Sequence, residues 1–166
     1  MPRIDVPDGP ADPEARVWAL QPHMGVAAAA LSHAVYERSI LPVRERELAR
    51  MRIAGINGCA ICLTWRSTPG AEGAVTEAEY AAVASGTIPD SCSVREALAV
   101  DYATRFATDH GSLGDDAFAA LRAEFTDAEL LDLTVCVAGW LALGRTLHVL
   151  GIDDHCRLDP GEAADS

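Results

Sequence analysis

"RERELARMRIAGINGCAICLTW" (residues 44–65) joins a densely charged segment to a cysteine pair introduced by a glycine. Pro42 stands just ahead of it, well placed as the first-turn proline of a helix over 42–55, and Asn57-Gly58 breaks that helix. Cys59 then opens another helix, with Cys62 three residues on. Cysteines at i and i+3 in a first turn share one face, and the unpaired N–H groups there favour thiolate. A reversible disulfide needs this geometry. The competing reading is two small buried residues in an alanine-rich helix. No second ligand pair lies at a familiar zinc spacing, so no metal is expected.

Glu47 lies twelve residues before Cys59, among Arg44, Glu45, Arg46, Arg50 and Arg52. Such a run is usually a solvated face laced with i,i+3 and i,i+4 pairs. Yet Glu47, Met51 and Ala54 form a stripe that leaves out Arg44 and Arg50. A glutamate on the apolar side of a helix is often a working or paired carboxylate. Both readings stand at this point.

The signals on either side are helical throughout. Thr76-x-x-Glu79, Ser93-x-x-Glu96 and Thr126-x-x-Glu129 match the capping box, each ahead of a helix-periodic run. They predict helices over 77–85, 94–109 and 127–150, with Gly86, Gly111 and Gly151 as stops. A short helix fits 115–125, and residues 14–39 read as helix with an interruption near Gln21-Pro22. No segment alternates with period two, and no repeat is present. The fold class is therefore all-α, with seven or eight helices. Helix 127–150 is apolar nearly all round and should be central; Gly139 and Gly144 within it point to close helix–helix approach.

Length and composition agree. The chain has 166 residues, 49% hydrophobic and only 5% aromatic, which suits one domain of closely packed helices. Residues 1–13 read as a flexible N-terminal arm, 14–156 as the helical domain and 157–166 as a loose acidic tail. A net charge of −12, from 25 acids against 13 bases, makes nucleic acid and anionic membrane poor partners. The longest uncharged apolar stretch, "LTVCVAGWLALG" (133–144), is too short to span a bilayer. Without a secretory leader in the sequence and with an odd count of five cysteines, a cytoplasmic protein bearing mostly thiols is expected.

The spacing Glu47-x11-Cys59-x-x-Cys62 within residues 44–65 resembles the carboxymuconolactone decarboxylase family, in its alkylhydroperoxidase D-like branch. "TEAEYAAVASG", "ALAVDYATRFATD" and "FTDAELLDLTVCVAGWLALGRTLHVLGID" are similar to the corresponding stretches, so the resemblance covers roughly residues 15–153. It implies an all-helical subunit assembled into trimers or hexamers, with the site near a subunit contact. It implies that Cys62 attacks a hydroperoxide and becomes a sulfenic acid, and that Cys59 resolves it as a disulfide. Glu47 would relay protons with a histidine four residues past Cys62, and a dithiol donor such as a lipoylated protein would supply electrons. No cofactor is implied. The chemistry is sound: an accessible low-pKa thiol, a resolving thiol and a base in reach.

This chain departs from that pattern at position 66, where the histidine is arginine. Arginine keeps its proton near neutral pH and cannot be the relay base. Arg66 remains a candidate fixed cation that lowers a thiol pKa, pairs with Glu47 or grips a substrate carboxylate; otherwise it is a surface residue leading into "STPGAEG". Ile61 stands where many relatives carry an aromatic residue. Trp65 and His148 join Arg66 as candidate substrate-binding or electrostatic residues, His148 because it resembles a recurring family position. His23, His33, His110 and His155 are the other histidines that could supply a base.

Three functions follow. The first is a dithiol oxidoreductase acting on a small peroxide or disulfide. The second is a cofactor-free lyase, decarboxylase or isomerase, with Arg66 holding a carboxylic acid and Glu47 moving protons. The third is a non-catalytic helical homo-oligomer that keeps its cysteines for packing.

Overall fold

A computed structural model describes residues 2–67 and 70–152. Among them are eight α-helices: α1 (Pro13–Ala19), α2 (Pro22–Glu37), α3 (Val43–Asn57), α4 (Ala60–Thr64), α5 (Glu77–Ser85), α6 (Val94–Thr108), α7 (Asp115–Glu124) and α8 (Asp127–Leu150). No strand occurs among the described residues. All three capping boxes form, and they start α5, α6 and α8 where the sequence places them. Pro22 separates α1 from α2, and Pro42 is the cap residue preceding α3. Gly111 does not stop α6. That helix ends at Thr108, and Gly111 lies in a 3-10 turn over His110–Ser112.

The hub is α3, which packs against α5, α6 and α8. It is the most charged segment in the chain, and a solvated face is what such a sequence ordinarily makes. Here Glu45, Glu47 and Arg50 are buried, and most of the charges find partners. Glu45 receives Arg95 from α6, at 2.7 Å. Arg44 reaches Glu79 (2.9 Å) and Glu96 (2.7 Å), the capping-box glutamates of α5 and α6. Arg52 donates to Thr104 and to the Ala84 carbonyl. Each arginine thus ties α3 to a neighbour, while Leu48, Ala49, Met51 and Ile53 fill the core between them.

Small residues let α8 and α5 close on α3 and α2. A Cβ on Gly139 would lie 2.9 Å from Val35 of α2, and one on Gly144 would lie 2.7 Å from Asn57 of α3. At Gly55 the obstacle would be the Ala84 backbone carbonyl of α5, which has little room to give. Helix α8 is 24 residues, longer than its uncharged stretch, and by length and composition alone it is long and apolar enough to cross a membrane. It packs on α2 and α3, with Leu133, Val137 and Trp140 buried.

The N-terminal arm is coil, as its prolines dictate, and part of it contacts the end of α8. Arg3 donates to the carbonyls of His148, Val149 and Leu150 at the end of α8. Ile4 and Val6 pack on Val17, Leu147 and Ile152. The expected acidic tail (157–166), Cys156 and His155 lie outside the described residues.

The Arg44 pairs predict the acid response. Glu79 is held at about 2, below its ordinary 4.5, first by Arg44 and then by Thr76 and Ser91, against the opposing effect of burial. A depressed folded-state pKa stabilises above the unfolded value and loses that contribution as pH falls through the folded one. Thermal melts of the wild type should therefore drop steeply from about pH 4.5 towards pH 2. Glu79→Gln should melt lower at pH 7 and show a flatter acid limb; an unchanged acid limb would count against this pair.

Candidate active site

Gly58 sets the entry to the cysteine pair. It adopts a left-handed conformation (φ 65°) that ends α3 and turns the chain into α4. Cys59 is the N-cap of α4, its sulfur accepting the Cys62 N–H at 3.3 Å. The two cysteines form a disulfide, with Cα atoms 5.3 Å apart. Their exposure is unequal: Cys59 is buried at 3%, while Cys62 is half-buried.

Both cysteines line a cavity of about 530 Å³ walled by α1, α2, α3 and α8. Trp18, Tyr36, Ile53, Trp140 and Leu147 make that wall largely apolar, and Arg50 and Asn57 interrupt it. A second, more open cavity of about 510 Å³ lies beside it. Cys62, Ile61 and Tyr36 border both, whereas Cys59 borders only the first and Trp65 only the second. The Cys62 side is thus approachable from two directions.

Behind the pair sits a buried polar cluster. Glu47 is 1% exposed and takes both prongs of Arg50, at 3.0 and 3.1 Å. It also accepts the Tyr80 hydroxyl at 3.0 Å. Burial, followed by the Glu47 charge, pushes Tyr80 up to about 12. Arg50, equally buried, turns its other edge to α4. It donates to the carbonyls of Cys62 (2.6 Å) and Trp65 (3.0 Å) and lies 5.0 Å from the Trp65 ring centre. Arg50 lines the cavity; Glu47 does not.

Arg66 lies elsewhere. Its guanidinium is clamped by Glu77 at 2.8 and 2.7 Å, donates to the Leu63 and Trp65 carbonyls, and stacks on the Tyr80 ring at 4.1 Å. Glu77 first, against burial, raises its pKa. It pairs with Glu77 rather than Glu47, and it borders neither cavity. Trp65 is 39% exposed and meets Tyr36 edge-on at 5.3 Å. His148, in the last turn of α8, is exposed and borders neither cavity; its carbonyl accepts Arg3. His33 borders the second cavity, and His23 and His110 border neither.

Arg50 is the site residue that the charged run concealed. Its place three residues after Glu47 was visible as an i,i+3 pair, but its displacement from the Glu47 stripe argued for a solvent-facing position. Tyr36, Tyr80 and Asn57 come from three different helices, and only packing brings them here. Asn57 donates to the Trp140 and Leu141 carbonyls and accepts from Arg145, which fixes α8 against the floor of the site. Among the described residues no group of three or more His, Cys, Asp or Glu side chains is placed to hold a metal.

The model of the Carboxymuconolactone decarboxylase family matches residues 22–105, which include both cysteines, Glu47 and Arg50. No curated protein matches the chain in sequence. Among solved structures, an Agrobacterium tumefaciens protein of unknown function, a candidate antioxidant defence protein AhpD, is 25% identical with a TM-score of 0.66. The match covers 81% of this chain and 92% of that one. An uncharacterized peroxidase-related protein from Silicibacter sp. TM1040 shares the fold at 17% identity and TM-score 0.66, over 82% of this chain and 73% of that one. An uncharacterized peroxidase-related protein with an alkylhydroperoxidase AhpD core, from Ralstonia eutropha JMP134, does so at 21% and 0.61, with the same coverage.

The environments of the thiols predict their order of reaction. Cys136 is buried, beside Asp132 and the Val35 carbonyl, and burial pushes it up to about 12. After reduction under native conditions, iodoacetamide should label Cys62 ahead of Cys59, and Cys136 only on unfolding. Peptide mapping over a time course reads this directly, and early labelling of Cys136 would contradict the burial pattern.

Proposed function

Since the chain belongs to the carboxymuconolactone decarboxylase family, we propose that it is a dithiol oxidoreductase that reduces a small hydroperoxide through Cys62 and Cys59. One observation carries the reading: a bonded cysteine pair of unequal exposure in the wall of an apolar cavity. A substrate entering from either cavity meets Cys62, while the buried Cys59 is held one helical turn away to resolve. The likeness to a candidate antioxidant defence protein supports the same reading.

The steps balance as follows. The Cys62 thiolate forms a bond to the terminal peroxide oxygen, the O–O bond breaks, and the departing alkoxide takes a proton to become an alcohol. Cys59 then displaces hydroxide from the Cys62 sulfenic acid, giving the disulfide and water. A second dithiol, of lipoyl type, attacks at Cys62 and leaves as a disulfide, returning both thiols. A reducing cytoplasm suits this cycle. Glu47 holds Arg50 and Tyr80 in place behind the thiols. The lyase alternative draws no support from Arg66, which lines no cavity and is taken by Glu77.

The reaction of the reduced protein with one equivalent of tert-butyl hydroperoxide tests this. Intact mass after alkylation should show the loss of two hydrogens, and mapping should place the link at 59–62. Cys59→Ser should stop at a sulfenic acid on Cys62, and Cys62→Ser should leave the peroxide unconsumed. Peroxide consumption by Cys62→Ser at the wild-type rate would sink the assignment.

The same reading includes self-assembly. Met24 and Val26 on α2 and Leu131 and Val135 on α8 are exposed at 63%, 72%, 66% and 42%, on helices that pack together. Such apolar surface favours a homo-oligomer, a trimer or hexamer by family likeness. Light scattering should give a multiple of the 17.6 kDa chain mass, and a monomer in dilute solution would refute this.

A further inference from the structure

The guanidinium of Arg50 has five N–H donors. Two go to Glu47, at 3.0 and 3.1 Å, and one to the Trp65 carbonyl at 3.0 Å. A fourth, on Nη1, goes to the Cys62 carbonyl at 2.6 Å. The second Nη1 hydrogen has no partner among the described residues. It belongs to the nitrogen that binds the Cys62 carbonyl, on a residue 1% exposed that lines the cavity alongside both cysteines.

The ion pair is oriented. Glu47 lies behind, out of the cavity wall, and Arg50 faces in. No other cation lines this cavity, and no histidine does. Attack on a hydroperoxide places negative charge on the departing oxygen, and a fixed donor aimed at developing charge in an apolar site is an effective stabiliser. Arginine keeps its proton, so its part is electrostatic and the departing oxygen is protonated from water.

Resting on the oxidoreductase reading above, we infer that Arg50 is a catalytic residue, donating its unspent Nη1 N–H to the oxygen that leaves when the Cys62 thiolate attacks a hydroperoxide. The thiolate electron pair forms the S–O bond, the O–O pair departs on the alkoxide, and Arg50 holds that alkoxide until water protonates it. The alternative is that Arg50 only clamps α4 through its two carbonyl contacts.

Two reactions of the same thiol separate these roles. Tert-butyl hydroperoxide releases an oxyanion; iodoacetamide alkylates Cys62 without releasing one. The reduced full-length wild type is compared with Arg50→Lys, which keeps a charge and leaves Glu47 paired but lacks the fork. A second variant, Glu47→Gln/Arg50→Gln, leaves no lone buried charge and so guards against simple unfolding. Alkylation is followed across pH, so that both rates are referred to the same thiolate fraction.

In both variants the hydroperoxide rate should fall roughly a hundredfold, while alkylation stays within about threefold. A parallel fall of the two rates, or an unchanged hydroperoxide rate in either folded variant, overturns the proposal and leaves Arg50 a clamp. Failure of wild-type Cys62 to react with hydroperoxide, with alkylation normal, overturns the oxidoreductase reading itself.

Discussion

The contact between Arg50 and Glu47 is the constraint on which the site depends. Both side chains are 1% exposed, and each carries a charge that the core could not accept alone. Removing one partner of such a pair typically costs about 3–5 kcal/mol, because the other is left buried and unpaired. The pair is made within one helix, at i and i+3, so the helix itself brings the two charges together. Arg50 then spends its remaining contacts on carbonyls of Cys62 and Trp65, which have no partner within so short a helix. A five-residue helix has little stability of its own. The cysteine-bearing segment is held from outside, by an arginine that is itself held by a glutamate.

This dependence explains what the sequence could and could not reveal. Helix starts were legible because capping is local chemistry: Thr76, Ser93 and Thr126 each find their glutamate three residues on, whatever the rest of the chain does. The cysteine pair was legible for the same reason. Burial of α3 was not, because a run such as "RERELARMR" is solvated unless distant partners neutralise it. Those partners are Glu79, Glu96 and Arg95, which lie 35, 52 and 50 residues from the residues they meet. Two of them read in sequence only as capping residues. That one carboxylate can serve a cap and an interhelical pair is a tertiary fact.

The same reasoning accounts for Arg66. Position alone, four residues past Cys62, suggested a cation directed at the thiols. But α4 ends at Thr64, and Trp65 adopts an extended backbone, so the helical phase that would carry position 66 to the Cys62 face is lost. Arg66 instead follows the chain outward to Glu77 and Tyr80. It still touches the site indirectly, since Tyr80 bonds to Glu47 and the Leu63 and Trp65 carbonyls accept from Arg66. Two arginines therefore satisfy the end of α4, one from the buried side and one from the exposed side.

On the oxidoreductase reading proposed above, the absence of an imidazole from the wall around the two cysteines bears on what kind of catalysis the cavity would support. An imidazole can deliver a proton in the step that breaks the O–O bond. The cavity that holds both cysteines has no histidine in its wall, and Arg50 cannot release its proton. The phenol of Tyr36 also lines that cavity, and burial raises its pKa despite the opposing charge of Arg50, so it holds its proton at neutral pH. A site built this way stabilises charge rather than moving protons through a chain of bases. The apolar walls reinforce this, since a guanidinium hydrogen bond to an oxyanion is worth more where water is scarce. The buried pair thus serves two ends: Glu47 makes a charged arginine tolerable in the core, and the arginine gives a largely apolar cavity its one fixed positive edge.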